Sequence, residues 1–373
     1  MARRGHVEIN PANLYHKGQF HSAVGRLRTN IAFAAATVAA LLISVAILAA
    51  YISSTPSDSV LRLGYFPNVT HAQALYGIAT GFFRGVLEPD VTLEPQAFNA
   101  GSTAMSSLLA NQVDLIFVGA SPTLNALAAS GPDYIRVIAG GSSGGASFVI
   151  QPDLILDTNA SFAGRKFASP QIGNTQDLAL KHFLLTKGHR TLDRGGDVDV
   201  INAANPDILS LFQLRRIDGA WVPEPWASRL VLEANGKVLV DERSLWPNGR
   251  FVTTHLVTTK RYLDTHRLLL SRFLEAEVTI TLRLQNQNLT VAAMGTINDA
   301  IVNATRIRLS NATLQAAFGN LNLTYDPLGT SLTTYLAWAQ ELGLLASGVD
   351  ASRLYDLSLL NEVLMKRGLA PVS

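Results

Sequence analysis

Cysteine is absent from all 373 residues. That excludes a disulfide scaffold, a cysteine nucleophile, thiolate zinc sites, cysteine-ligated iron–sulfur clusters and a lipid anchor on an N-terminal cysteine. Charge is sparse as well, at 16% of residues against 48% hydrophobic. Such a chain folds rather than staying disordered, and it is long enough for one large or two ordinary domains. The formal net charge of +2 is unevenly placed, because Arg3, Arg4, Lys17, Arg26 and Arg28 all precede the first apolar run. The chain beyond that run is slightly acidic and offers no basic field for nucleic acid. No G-x-S-x-G, H-E-x-x-H or P-loop occurs. The eight histidines are scattered, and Gly188 interrupts the helix that would join His182 to His189. No catalytic residue, metal site or cofactor is expected.

What the sequence does contain begins with an uncharged run, Ile31 to Ile52. As a helix its 22 residues extend roughly 33 Å, enough for a bilayer core. Basic residues ahead of it keep the N-terminus cytoplasmic. The expectation is a cytoplasmic basic tail over 1–30, a transmembrane anchor over 31–52 and an extracytoplasmic body from about Ser57. A cleaved signal peptide is the rival reading, with Ala49 and Ala50 offering the cleavage site and a secreted body as the result. Six N-x-[ST] sequons begin at Asn68, Asn159, Asn288, Asn303, Asn311 and Asn322, against roughly three from chance.

Past Ser57 short apolar, branched stretches alternate with segments of helical periodicity. Strands are predicted over 60–65, 91–98, 113–118 and 134–139, with helices over 70–84, 102–111 and 121–130. A second round has strands over 165–169, 197–201, 217–222 and 237–240. Its helices are predicted over 175–187, 206–216 and 224–235. This alternation predicts a mostly parallel α/β sheet. Val113-Asp-Leu-Ile-Phe-Val118 and Ile217-Asp-Gly-Ala-Trp-Val222 echo one another, which fits two similar lobes, though any two buried strands share this look. From Arg267 onward the chain reads as helices. Gly140-Gly-Ser-Ser-Gly-Gly145 lacks the lysine of a phosphate cradle and reads as a flexible loop before a hinge.

Helix starts dominate the candidate chemistry. Gly101-Ser-Thr103, Ala120-Ser-Pro122 and Gly173-Asn-Thr175 each place small or capping residues where an apolar helix begins. Unpaired amides there, with the positive end of the helix dipole, suit an oxyanion, and Ser102, Thr103, Ser121 and Thr175 add hydroxyls. Ordinary capping explains any one of them alone. Tyr65-Phe-Pro-Asn68 offers an aromatic wall and a polar contact, or simply a turn fixed by Pro67. Val222-Pro-Glu-Pro-Trp226 offers a carboxylate and an indole on a stiff loop, where Glu224 meets a ligand or stabilises its own helix.

Taken together these stretches resemble the solute-binding proteins of ABC importers, in the nitrate/taurine/aliphatic-sulfonate family. The resemblance rests on Leu63-Gly-Tyr-Phe-Pro-Asn-Val-Thr-His-Ala72, Asp114-Leu-Ile-Phe-Val-Gly-Ala-Ser-Pro122 and Ser143-Gly-Gly-Ala146. It extends through Gly164-Arg-Lys-Phe-Ala-Ser-Pro-Gln-Ile-Gly-Asn-Thr-Gln-Asp177 and Gly219-Ala-Trp-Val-Pro-Glu-Pro-Trp226. It implies a two-lobed α/β fold of the periplasmic-binding-protein type 2, the second lobe inserted in the first. Lobe 1 is then 57–149 with 252–373, and lobe 2 is 150–251, with crossings near Phe148–Gln151 and Phe251–Thr258. The implied ligand-binding residues are Tyr65, Asn68, Ser102, Thr103, Ser121, Asn174, Thr175, Gln176, Glu224 and Trp226, with Thr253 and Thr254 as weaker candidates. The implied partners are a small anion and a membrane permease. Aliphatic sulfonate comes first as ligand because helix-start donors without an evident arginine clamp meet an aromatic wall. Nitrate, bicarbonate and a thiamine-pyrimidine precursor remain alternatives. A pyrimidine synthase on the same fold would bring a cysteine-rich motif that this chain lacks. A sensor role is disfavoured by a cytoplasmic tail too short for a signalling domain.

Overall fold

A computed structural model describes residues 37, 38, 41, 43, 44, 60–156 and 158–373. The chain divides into two units, 1–58 and 59–373. In the first, the described Thr37, Val38, Leu41, Ile43 and Ser44 are helical. The rest of the expected anchor over 31–52, and the basic tail before it, lie outside the described residues. Among the described residues no helix is long and apolar enough to cross a membrane.

The second unit is built on two sheets. Its strands are β1 (Val60–Tyr65), β2 (Thr92–Ala97), β3 (Leu115–Val118), β4 (Ile135–Gly144), β5 (Ala146–Ile150) and β6 (Lys166–Pro170). After these come β7 (Asp199–Ala203), β8 (Gly219–Pro223), β9 (Lys237–Asp241), β10 (Val252–Thr259) and β11 (Leu321–Leu323). The first sheet has the order β11-β4-β10-β3-β1-β2 and the second β7-β6-β8-β5-β9. The echo between the halves is topological. β3 runs parallel to β1 and antiparallel to β10, while β8 runs parallel to β6 and antiparallel to β5. Each sheet thus has a parallel block, β2-β1-β3 or β7-β6-β8, next to which lies one antiparallel strand that arrives from the other sheet.

Helices cover both faces of each sheet, and the sequence shows why. β3 is apolar at four successive positions and buried at all of them, as a strand covered on two sides must be. Leu115 and Phe117 face one core with α1 (Ala72–Ala79), α2 (Phe82–Leu87), α9 (Arg267–Gln285), α10 (Gln287–Thr305) and α13 (Ser358–Lys366). Ile116 and Val118 face the other, with α3 (Gly101–Leu109), α4 (Ala120–Ser130) and α12 (Gly329–Glu341). On the second sheet α5 (Thr175–Thr186) packs against Phe148, Phe167 and Trp221. The opposite face takes α6 (Asn205–Gln213) and α7 (Trp226–Ala234). The two remaining helices are α8 (Lys260–Thr265) and α11 (Asn311–Gly319).

Three expectations are corrected here. The helix predicted over 70–84 breaks at Gly81, which takes a left-handed φ of 69° and starts a second helix. The glycine run over 140–145 is no flexible loop: β4 continues to Gly144 and every residue in it is buried. Its glycines serve close approach, since a Cβ on Gly140 would stand 2.2 Å from the Asp326 carbonyl oxygen. Gly144 and Gly145, with φ of 74° and 71°, form the turn by which the chain leaves the first sheet for the second. The outward crossing therefore falls just before Phe148–Gln151, of which Phe148–Ile150 belongs to β5. The return lies between Asp241 and Val252, so the stretch expected as a crossing at Phe251–Thr258 is largely strand β10.

Candidate functional site

The carboxyl ends of β1, β3, β6, β7 and β8 point towards one cavity of about 370 Å³ between the two sheets. A crevice at the carboxyl ends of parallel strands is where open α/β sheets take ligands. Helices α3, α4, α5 and α6 all begin on it, at Gly101, Gly119–Ala120, Thr175 and Asn205. None of the four starts carries a side-chain cap: Ala100, Gly119 and Ala204 have no group to offer, and Asn174, able to cap, makes no such bond and leaves its Oδ1 without a partner among the described residues. Apart from the Ser121 amide, which Thr175 Oγ1 accepts, amides that capping would normally satisfy are left for an occupant. The α5 start is held rigidly from below. Buried Asp177 accepts from Ser169 Oγ at 2.8 Å, Asn202 Nδ2 at 2.8 Å, Lys181 Nζ at 2.8 Å and the Gly173 amide at 3.0 Å.

Of the residues named from sequence, Asn68, Asn174, Thr175, Gln176 and Trp226 line the cavity, as do Thr253 and Thr254. Several also join the sheets across it. Trp226 Nε1 donates to Asn68 Oδ1 at 3.1 Å, and the Ser121 amide donates to Thr175 Oγ1 at 3.2 Å. Asn125 Nδ2 adds a bond to the Gly173 carbonyl at 3.2 Å. Ser121 thus stands beside the site, giving its amide to Thr175, and is not among the lining residues.

The structure places the other four elsewhere. Ser102 and Thr103 are exposed on α3, and it is Gly101 that meets the cavity. Successive helical residues turn by about 100°, so a helix start can face a cleft while its next two side chains leave it. Tyr65 packs half-buried against the first core, and burial raises its phenol pKa. Glu224 is fully buried with its oxygens already engaged, by the Ser228 amide at 3.0 Å, Ser228 Oγ at 3.0 Å and Asn320 Nδ2 at 2.7 Å. Burial pushes its carboxyl pKa up, against the bonds from Asn320 and Ser228. It braces the first turn of α7 and ties that turn to the end of α11. Asn68 is also removed as a glycan acceptor, being buried in the cavity wall, whereas Asn303, Asn311 and Asn322 are exposed.

Sequence reasoning missed three contributors. His71 lines the cavity stacked on Phe66, and complete burial lowers its pKa to about 3, so it is a neutral ring at physiological pH. Ile301, Ile307 and Leu309 bring an apolar wall from α10 and the segment after it. Arg229 is the third, and its signal was legible, since Trp226, Arg229 and Glu233 share one helical face at spacings of three and four. Among the described residues no cluster of His, Asp and Glu could hold a metal ion. The arrangement can bind an oxyanion through amides and hydroxyls and cover an organic body with rings and aliphatic carbon.

A sequence profile of the NMT1-like family matches residues 54–297. The taurine-binding periplasmic protein of Escherichia coli K12 is 27% identical over 195 residues, which is 51% of this chain and 57% of that protein. The match therefore spans little more than half the length of that relative. The alkanesulfonate-binding protein SsuA of Xanthomonas axonopodis pv. citri, solved with MOPS bound, superposes with a TM-score of 0.65 at 15% identity, covering 81% of this chain and 99% of SsuA. The nitrate-binding protein NrtA of Synechocystis PCC 6803 gives 0.67 at 14% identity, covering 83% and 89%. At such identities the likeness is one of fold, and the fold is that of periplasmic binding proteins.

Proposed function

Because the chain belongs to the NMT1-like family, we propose that it is the extracytoplasmic substrate-binding receptor of an ABC importer, taking a small organic oxyanion between its two sheets. The resemblance to nitrate/taurine/aliphatic-sulfonate solute-binding proteins, carried by the motifs, is shared by the taurine-binding relative and by the fold. One observation carries the reading: four uncapped helix starts from both sheets meet on a single cavity. The two sheets act as lobes that close on the ligand, turning at Gly144–Gly145 and at the 242–251 connection. The receptor hands its cargo to a membrane permease and does not transform it.

The ligand is an aliphatic sulfonate of the taurine type. Nitrate or bicarbonate would leave most of a cavity of about 370 Å³ empty and would meet its rings and aliphatic wall with no apolar surface to bury. A thermal-shift panel of the purified 59–373 unit against sulfonates, nitrate, bicarbonate and pyrimidines tests this directly. Stabilisation by a sulfonate is expected. Stabilisation by a pyrimidine or by nitrate alone would replace the assignment. Thr175 is proposed to contact the oxyanion, since its oxygen already accepts the Ser121 amide and its proton is left to donate. Thr175→Val should weaken sulfonate binding about tenfold, the worth of one charge-assisted bond, and calorimetry on the two proteins measures it.

The proposed anchor over 31–52 keeps the receptor beside its permease. Protease added to intact cells is then expected to digest the body while leaving a membrane-held N-terminal fragment. A body that resists protease until lysis, or that is found free of the membrane, argues against the anchor.

A further inference from the structure

We propose that Arg229 is the charge-selecting residue of the cleft, meeting the ligand's oxyanion with the part of its guanidinium that Glu233 leaves free. The inference rests on the receptor reading above and names the group that makes that receptor choose an anion.

Arg229 is the one lining residue, among those described, with a permanent charge. The other ionisable lining group, His71, is kept neutral by burial, and no carboxylate among the described residues lines the cavity. Arg229 is also held in place on two sides. Its Nε donates to the two Glu233 oxygens at 3.0 and 3.1 Å, and its Nη2 donates to Oε2 at 2.9 Å. Its guanidinium carbon stands 4.8 Å from the centre of the Trp226 ring, and Trp226 is itself tied to Asn68 across the cleft. Glu233 therefore takes the Nε/Nη2 edge, and Nη1 has no protein partner among the described residues.

A surface ion pair one helical turn long would be the plain reading of Arg229 and Glu233. Their exposures argue otherwise, because the Arg229 side chain is 12% exposed and that of Glu233 33%. The cation is the inner member, facing the cavity, and the carboxylate is the outer brace. A charge contact made by so largely covered a cation is weakly screened by salt. A guanidinium can hold a carboxylate on one edge and an oxyanion on another, whereas an ammonium lacks that planar fork. Fixed in advance by Glu233 and Trp226, it needs little ordering when the ligand arrives.

Affinities of the parent, Arg229→Gln and Arg229→Lys are measured by calorimetry for ethanesulfonate and for ethyl methyl sulfone, its uncharged near-isostere. The parent should prefer the sulfonate strongly. Arg229→Gln should weaken the sulfonate about ten- to a hundredfold while leaving the sulfone nearly unchanged, so the preference collapses. Arg229→Lys should keep a reduced preference for the anion. An unchanged preference in Arg229→Gln overturns the assignment. If that variant fails to fold, Arg229→Met, uncharged with an apolar stem of similar reach, takes its place under the same criterion, and an Arg229→Lys affinity equal to the parent's overturns the fork geometry. Failure of the parent to bind any sulfonate removes the sulfonate assignment and this inference together. An intact parent with unaltered variants removes only the role of Arg229.

Discussion

Glu242→Ala is expected to destabilise the body by about 2–6 kcal/mol, because it strands two buried donors at the return crossing. Glu242 is fully buried in the connection between β9 and β10. Its Oε2 accepts from Trp221 Nε1 at 2.7 Å, and its Oε1 accepts from Tyr335 Oη at 2.7 Å. Trp221 belongs to β8 of the second sheet, stacked on Phe148, while Tyr335 belongs to α12 on the first. One carboxylate thus takes a bond from each side of the hinge. Burial pushes its pKa up to about 7, although the bonds from Tyr335 and Trp221 pull the other way. Glu242→Gln should cost much less, since its amide keeps an acceptor for the indole and Tyr335 can turn to accept. Urea titration of the three proteins measures both effects. A Glu242→Ala variant within about 1 kcal/mol of the parent would show that water replaces the carboxylate freely.

How far the sequence leads depends on the kind of signal. Runs such as Leu115–Val118 announce a doubly covered strand by composition alone, and the strand–helix order comes from them. β5 and β10 read as crossings for a physical reason. A strand that arrives from another sheet has no helix of its own before it, so the alternation skips it. The 140–145 glycines mislead because composition reports backbone freedom but not the neighbour that needs it, here the Asp326 carbonyl and the Asn320 carbonyl. At the site, the helix starts are legible as places and not as side chains. Gly101 faces the cavity where Ser102 and Thr103 leave it, a difference set by helix rotation against a partner sheet. Glu224 keeps the role its own helix offers. For Arg229 the sequence shows the helical face shared with Trp226, whereas the meeting of that face with the cleft depends on how α7 seats on the second sheet.

The second large effect is a pH dependence. Glu277 sits fully buried on α9, with Oε1 accepting from Thr281 Oγ1 at 2.9 Å and Oε2 without a partner among the described residues. The bond chain continues from Thr281 to Gln73, whose Nε2 donates to Thr281 Oγ1 at 3.2 Å and to the Gly141 carbonyl at 2.6 Å. Burial raises the Glu277 pKa from 4.5 to about 8, the Thr281 bond opposing. A carboxyl whose folded pKa lies above its unfolded one takes up a proton on folding. Its contribution is therefore complete below about pH 4.5 and is lost as pH rises through about 8. Glu277→Gln keeps the shape without the charge. The variant should match the parent near pH 4.5 and exceed it by a few kcal/mol, at most about 5, by pH 9. Glu242 contributes a slope of the same sign in both proteins, so the difference between their curves isolates Glu277. Urea midpoints taken from pH 5 to 9 give that difference. Curves that stay parallel across the range would mean that Glu277 is ionised in the folded state, with a cation or water reaching Oε2.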